Sequence, residues 1–368
     1  MKNFRTFLKW GFIVLAGLAL IFFLFVFWVK SLVPPKNLEL ETTKAIELPY
    51  LNENIPLHRG KILAIVTSTN KMGPEATATG YELTELARAY YVFQANGFEV
   101  DVASPLGGNP PVVIDDEDMG VYDYAFLNDT IAQQKLKNTI RIANINENNY
   151  KAVYFVGGKG AMFDFPDNKK IQTIVKNFYE TNKVIGAVCH GPAALVNVTL
   201  SNGQQLVENK KISSFTNNEE LLLIPEAKTI FPFLLQDKLI AKGADFKEGT
   251  MYLENVSHDK NLVTGQNPWS VWKLAETMVI QLGYTPKYRA LTDEENAVKV
   301  LSAYNTYGKE KARVLIHQII KEKQQPLSRL LIAKHSIMSG IKGDIGGFVN
   351  LLSLTAYAKK MNEYYKNH

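Results

Sequence analysis

Two hydrophobic patterns alternate along the chain from residue 61 onward. Short runs of consecutive apolar residues are typical of buried strands, and longer stretches with apolar residues at helical spacing are typical of amphipathic helices. The predicted strands cover residues 61–68, 98–104, 152–158, 184–189, 211–215 and 261–265. The predicted helices cover residues 79–97, 130–144, 171–182, 191–198 and 268–283. Because strands that alternate with helices build a mainly parallel sheet covered on both faces, this pattern predicts an α/β domain.

The N-terminal region has a different pattern, an uncharged apolar run over residues 10–29. A helix of this length spans about 30 Å, the thickness of the hydrocarbon core of a bilayer. Trp10 and Trp28 stand at its two ends, where tryptophan prefers the membrane interface. No small-residue cleavage site follows in residues 30–35. We therefore predict an uncleaved transmembrane signal anchor rather than a cleaved signal peptide.

The charges that flank this run indicate an orientation. Lys2, Arg5 and Lys9 precede it, and positive residues favour the cytoplasmic side of a membrane. We expect residues 1–9 to be a cytoplasmic tail and residues 30–58 to be a stalk. The predicted protein is thus a single-pass membrane protein whose folded domain lies outside the cytoplasm.

The last part of the chain, residues 285–368, is basic, with 14 Lys or Arg and 7 Asp or Glu. Thr292 and Glu295 have the spacing of a capping box at the start of a helix. The apolar residues that follow share one helical face, and they are Ala312, Leu315, Ile316, Ile319 and Ile320. We predict a basic helical extension packed on the core, and the alternative is an amphipathic segment that rests on anionic lipid.

Composition excludes several classes of protein. An apolar content of 46% argues against disorder, and a net charge of +5 is too small to indicate a nucleic-acid partner. The single cysteine, Cys189, excludes an intrachain disulfide framework and any metal site with several cysteines. We expect neither a metal nor an organic cofactor.

That cysteine lies where a strand runs directly into a helix. The predicted strand 184–189 ends at Cys189, and the predicted helix 191–198 follows at once. A strand–turn–helix elbow exposes a nucleophile at the edge of a sheet, and the positive end of the helix lowers the pKa of a thiol. An inert buried thiol is the alternative.

Two further features accompany the cysteine. Gly157 and Gly158 end the predicted strand 152–158, and their backbone N–H groups, with that of His190, are candidates for an oxyanion hole. Glu85 lies in the predicted helix 79–97 among apolar neighbours, so we expect it to point inward. A buried carboxyl beside a thiolate has a raised pKa and can exchange a proton near neutral pH.

The chain resembles the ThiJ/PfpI superfamily, in the branch of glyoxalase III and chaperone-like proteins described as type 1 glutamine amidotransferase-like. The resemblance covers about residues 60–283. It is carried by the segments at residues 79–108, 156–168, 187–195, 213–220 and 264–268. It implies a flavodoxin-like three-layer sandwich over residues 59–284.

The resemblance also implies roles for site residues. Cys189 corresponds to the nucleophile, His190 to the adjacent histidine and Glu85 to the helix glutamate. Gly157 and Gly158 correspond to the oxyanion loop. Either Glu219 or Glu220 is the candidate third member of the triad. Lys159 stands where the family usually has histidine, so the substrate is left open.

The expected function is a cysteine-dependent enzyme that acts on reactive carbonyls, either a glyoxalase III-like conversion of a 2-oxoaldehyde to a 2-hydroxy acid or a related deglycase or hydrolase. Its partner is a small carbonyl compound or a damaged protein, and a homodimer is left open. A membrane-tethered holdase chaperone or redox sensor that uses the same cysteine is the alternative. A glutamine amidotransferase fits less well, because Ala187 replaces the first elbow glycine and His258 precedes Asp259 instead of pairing with a glutamate.

Overall fold

The computed structural model describes residues 2–366, and it describes only the backbone of residues 2–9, 11, 13, 14, 18, 21, 22, 365 and 366. The chain divides into two compact units. Residues 37–289 form the first, here called the sheet unit, and the described residues of 1–36 and 290–368 form the second, the helical unit.

All strands of the described chain belong to the sheet unit. They are β1 (Lys61–Ile65), β2 (Lys71–Met72), β3 (Thr77–Ala78), β4 (Tyr81–Glu82), β5 (Glu99–Ser104), β6 (Val112–Val113), β7 (Ile140–Arg141), β8 (Ala152–Phe155), β9 (Val184–Val188), β10 (Lys211–Ile212), β11 (Asp245–Phe246), β12 (Val256–Asp259) and β13 (Leu262–Gly265). Seven of them form the central sheet in the order β12-β13-β9-β8-β1-β5-β7. Each neighbouring pair is parallel except β12 and β13, which confirms the prediction of a mainly parallel α/β sheet.

The α-helices of the described chain are α1 (Lys2–Leu32), α2 (Pro49–Asn52), α3 (Leu83–Ala95), α4 (Val121–Leu127), α5 (Thr130–Lys137), α6 (Ala161–Asp164), α7 (Lys169–Glu180), α8 (Asn217–Leu223), α9 (Ala227–Ile230), α10 (Leu235–Ala241), α11 (Val271–Gln281), α12 (Asp293–Tyr307), α13 (Lys309–His317), α14 (Arg329–Ile341) and α15 (Ile345–Lys366). Helices α2 to α11 belong to the sheet unit, and α1 and α12 to α15 belong to the helical unit.

The sheet has a hydrophobic core on each face because successive strand residues point to opposite sides. Ile62 and Ala64 of β1 belong to the core cluster that also contains residues of α3 and α11. Leu63 and Ile65 belong to the opposite cluster, which contains residues of α7. Helices therefore cover both faces, and the sheet unit has three layers.

Several predicted elements are shorter than their patterns indicate. The predicted helix 130–144 ends at Lys137, because Thr139 and Gly108 exchange backbone hydrogen bonds of 2.9 and 3.0 Å and draw the chain to the sheet edge. The predicted helix 191–198 is a 3-10 helix, Gly191–Leu195. The predicted strand 211–215 keeps its strand conformation only in β10.

Helix α1 includes the predicted anchor over residues 10–29. Judged on the residues that the structure describes, no helix is both long and apolar enough to span a membrane, so the anchor has no support from the structure. The side chains of the predicted cytoplasmic tail, residues 1–9, lie outside the described part. Within the predicted stalk, residues 37–58 belong to the sheet unit, and Tyr50 is buried there.

The C-terminal helical extension is confirmed. The predicted capping box is present at the start of α12, where the Glu295 N–H donates to Thr292 Oγ1 at 3.1 Å and the Thr292 N–H donates to Glu295 Oε2 at 2.9 Å. On the predicted apolar face, Ala312 and Ile316 are fully buried. Phe348 of α15 contacts Phe25 of α1, with 6.4 Å between the ring centroids.

Residues 37–289 should fold when they are expressed alone, because both core clusters lie within them. The expected result is a soluble fragment with a cooperative thermal transition and native-like near-ultraviolet circular dichroism. A fragment that binds hydrophobic dyes and melts without cooperativity would contradict this expectation.

Candidate active site

The chain makes a strained elbow at the carboxyl end of β9. Cys189 has a φ of +57°, a conformation that residues other than glycine seldom adopt. Two hydrogen bonds hold it there: its N–H donates to the Gly265 carbonyl, and its carbonyl accepts from the Phe215 N–H, both at 2.9 Å. Backbone strain of this kind costs about 1–3 kcal/mol and persists where the surroundings enforce it, as at many active sites.

His190 links the cysteine to a carboxylate. Its Nδ1 lies 3.3 Å from Cys189 Sγ, and its Nε2 lies 2.6 Å from Glu220 Oε2. If Nε2 carries the proton and donates it to the Glu220 carboxylate, Nδ1 is left as an acceptor for the thiol. Of the two glutamates that the sequence leaves open, Glu220 therefore completes a Cys–His–Glu arrangement.

Glu219 has a different environment. Its Oε2 accepts from the N–H and Oγ1 of Thr216, each at 3.0 Å. Its Oε1 accepts from the Tyr252 N–H at 2.8 Å and from the side-chain amides of Gln266 and Asn267 at 3.0 and 2.9 Å. With its acceptor capacity used in this way, Glu219 anchors the start of α8 and so positions the neighbouring Glu220.

Glu85 is fully buried in α3 and points into the site. Its Oε2 accepts a hydrogen bond of 2.7 Å from the Gly157 N–H, and the carboxyl group also hydrogen-bonds with the Cys189 side chain. A Cβ atom at Gly157 would overlap Glu85 Oε2 and lie 2.7 Å from Cys189 Cβ. Glu85, Gly157 and Cys189 thus converge on one small space.

Burial is the largest cause of the pKa shifts of Glu85 and Cys189. It raises the pKa of Glu85 well above its ordinary value, which agrees with the expectation from sequence. It also raises the pKa of the Cys189 thiol, and the carboxyl groups of Glu85 and Glu82 add to that effect. The expected low thiol pKa is therefore wrong. Only a 3-10 helix of five residues follows the cysteine. The dipole of so short a helix opposes the rise of the thiol pKa only weakly.

Glu82 is a member of the site that the sequence analysis does not single out. It precedes α3, one helical turn before Glu85, and burial raises its pKa to about 7 while the charge of Lys159 opposes that rise. The spacing of three residues from Glu85 is the signal that could have identified it, since residues i and i+3 share a helix face.

The predicted oxyanion loop lies at the end of β8. Gly158 has a φ of +100°, and a Cβ atom there would overlap the Gly80 carbonyl oxygen, so this position requires glycine. The backbone N–H groups of Gly158 and His190 have no acceptor among the residues described here. Lys159, the next residue, is partly exposed. No three His, Cys, Asp or Glu side chains in residues 2–366 are arranged to hold a metal ion.

Comparison with known proteins identifies the family of the chain. The model of the DJ-1/PfpI family matches residues 76–281, more than half of the chain. The chain belongs to this family.

Curated relatives align with most of their own length. Glyoxalase 3 of Candida albicans is 30% identical over 236 residues, which are 60% of this chain and 97% of that protein. The glutathione-independent glyoxalase HSP31 of Saccharomyces cerevisiae is 30% identical over 58% of this chain and 94% of its own. Among solved structures, the Rapid Encystment Protein of Francisella tularensis is 34% identical, with a TM-score of 0.57 over 61% of this chain and 99% of its own.

The alkylation rate of Cys189 should rise with a midpoint above pH 8.5, the approximate pKa of an ordinary thiol, because burial and two carboxyl groups disfavour the thiolate. Glu85→Gln removes one of those carboxyl groups, so its midpoint should be lower. Iodoacetamide labelling followed by mass spectrometry from pH 6 to 10 measures both values.

Glu99→Gln is the control for this titration, because Glu99 is a carboxyl group on β5 that pairs with Lys61 at 2.8 Å. It should leave the midpoint unchanged. A midpoint near or below pH 7 in the wild-type protein would show that the thiol is activated in the resting state.

Proposed function

We propose that this protein is a glutathione-independent glyoxalase that converts a 2-oxoaldehyde such as methylglyoxal to the 2-hydroxy acid. The observation that carries the proposal is the convergence of Cys189, Glu85 and the His190–Glu220 pair in one buried site. The names of the curated relatives, which align over nearly their whole length, point to the same activity.

In the first step, Cys189 Sγ bonds to the aldehyde carbon of the substrate. The thiol is protonated in the resting site, so His190 Nδ1, 3.3 Å away, takes its proton during attack. Glu220 stabilises the resulting imidazolium at Nε2. The N–H groups of Gly158 and His190 donate to the oxyanion that forms, and the imidazolium then returns its proton to that oxygen to give the hemithioacetal.

Glu85 then moves a proton between the two carbon atoms. Burial raises its pKa and so favours the protonated form, which can donate to the ketone oxygen. The carboxylate that remains removes the proton from the former aldehyde carbon, which leaves an enediol. Glu85 returns that proton to the second carbon, its carboxylate takes the hydroxyl proton from the first carbon, and a thioester on Cys189 forms.

Hydrolysis completes the reaction. Water attacks the thioester, the carbon–sulfur bond breaks, and the 2-hydroxy acid leaves while the thiol is regenerated. The aldehyde carbon is oxidised and the ketone carbon is reduced, so no external oxidant or reductant is needed. Cys189 supplies the thiol, and the pathway therefore needs no added thiol cofactor.

The alternatives have weaker support. A redox sensor requires an accessible thiolate, whereas Cys189 is buried and burial raises its pKa. A glutamine amidotransferase with His258 as its base is disfavoured, because that side chain is exposed and its Nε2 contacts the Lys260 carbonyl at 2.7 Å. A holdase chaperone has no particular feature of the site in its favour.

The purified full chain should convert methylglyoxal to lactate without added glutathione. Cys189→Ser and Glu85→Gln should each lower kcat by about 100-fold or more, because one removes the nucleophile and the other the proton carrier. Enzymatic lactate measurement gives the rate, and Glu99→Gln is the control that should keep wild-type activity.

Two results would count against the proposal. Lactate formation that persists in both variants would place the chemistry elsewhere. The holdase would be favoured by a chain that does not turn over methylglyoxal but suppresses the aggregation of an unfolded client protein, provided that Cys189→Ser suppresses aggregation equally well.

We also propose that the protein is attached to a membrane through the apolar run of residues 10–29, with the sheet unit outside the cytoplasm. What supports this is the sequence: a run of uncharged residues long enough for a bilayer core, with more positive charge on its N-terminal side.

The full chain should float with phospholipid vesicles in a density gradient, whereas a chain without residues 1–36 should bind them far less. Immunoblots of the gradient fractions measure the distribution. Equal flotation of the two chains would show that the apolar run is not the attachment.

A further inference from the structure

The turn between α14 and α15 exposes a group of aliphatic side chains. We call it the apolar tip, and it consists of Ile337, Ile341, Ile345 and Val349. Each of the four is more than half exposed. The residues on each helix are four positions apart, so they share one helix face next to the turn. Large aliphatic residues clustered in this way are the usual mark of an interaction surface.

The apolar tip lies beside a second exposed apolar surface in the same unit. Phe348, which stands between two tip positions on α15, contacts Phe25 of α1. On α1, the neighbouring Leu24, Phe27 and Trp28 are also exposed. Two elements far apart in sequence therefore present apolar side chains at adjacent positions.

The charge of the helical unit indicates what covers these residues. Residues 1–36 and 290–368 contain 17 Lys or Arg and 7 Asp or Glu. Residues 37–289, in contrast, contain 24 Lys or Arg and 29 Asp or Glu. A strongly basic unit is attracted to anionic lipid head groups. The same charge repels a second copy of the unit, which disfavours a dimer through this face.

We propose that the apolar tip inserts into the interface of an anionic lipid bilayer, next to α1. Side chains of this kind enter the boundary between head groups and acyl chains, while the basic charge of the helical unit attracts anionic head groups. This inference rests on the proposed membrane attachment and adds a second contact to it. The turn can sit at the interface without unfolding, because Asp344 Oδ1 caps α15 by accepting from the Gly347 N–H at 2.8 Å.

A fluorescent label at the tip tests the proposal. The full chain with Cys189→Ser and Ile345→Cys is labelled with nitrobenzoxadiazole and reconstituted into phosphatidylcholine vesicles that contain phosphatidylglycerol. The matched control carries Cys189→Ser and Ile131→Cys, because Ile131 of the sheet unit is exposed to the same extent, 66%, as Ile345. Circular dichroism checks that both chains are folded.

The label at position 345 should emit at shorter wavelength than in water, and lipids with a spin label on the acyl chain should reduce its emission at least about twofold, as expected for insertion at the acyl boundary. The label at position 131 should show neither effect. A chain that floats with vesicles while both labels report water would overturn the tip contact and leave the attachment standing.

Two other results would also overturn the proposal. A blue-shifted label at position 345 that spin-labelled lipids do not quench would show that protein, such as a second copy, covers the tip. A chain that does not float at all would overturn the attachment and the tip contact together.

Discussion

The hydrogen bond from the Gly157 N–H to the buried carboxyl group of Glu85 is the interaction on which the site depends. It joins α3 to the end of β8, and a second hydrogen bond of 2.8 Å, from the Tyr154 hydroxyl of β8 to the Glu85 carbonyl, supports it. The bond exists because residue 157 has no side chain: a Cβ atom there would occupy the space between Glu85 and Cys189. The same burial that makes the bond necessary raises the pKa of both Glu85 and Cys189, so it favours the protonated form of each.

A buried ion pair one turn further along α3 fixes the position of that helix. Arg88 Nη2 lies 2.9 Å from Asp123 Oδ2, with both side chains almost fully buried, and it also donates to the Asp118 carbonyl at 2.7 Å. Loss of one partner of such a pair costs about 3–5 kcal/mol, because the other charge is left buried. The pair therefore holds the loop that carries Asp118 against the helix that carries Glu85, and the site keeps one geometry.

Sequence patterns predict the sheet well and the site only in part. Buried strands such as β8 and β9 are visible as apolar runs, whereas β12, with His258 and Asp259, is an edge strand without such a run and escapes detection. The choice between Glu219 and Glu220 depends on which carboxyl group faces His190, which neighbouring positions cannot reveal. The direction of the pKa shift of Cys189 depends on burial and on nearby carboxyl groups. Neither can be inferred from the position at which a helix is predicted to start.

The acidic surroundings of the cysteine bear on the substrate. Glu82 has a pKa of about 7, raised by burial and further by Asp115 and Asp118, so it gains negative charge as the pH rises through neutrality. Lys159 is the cation that opposes this charge. An anionic carbonyl compound would meet repulsion from these carboxylates, whereas a neutral 2-oxoaldehyde would not. The basic charge of the chain is concentrated in the helical unit, and the sheet unit has more acidic than basic residues. The electrostatics of the sheet unit therefore favour the neutral substrate that the proposed reaction uses.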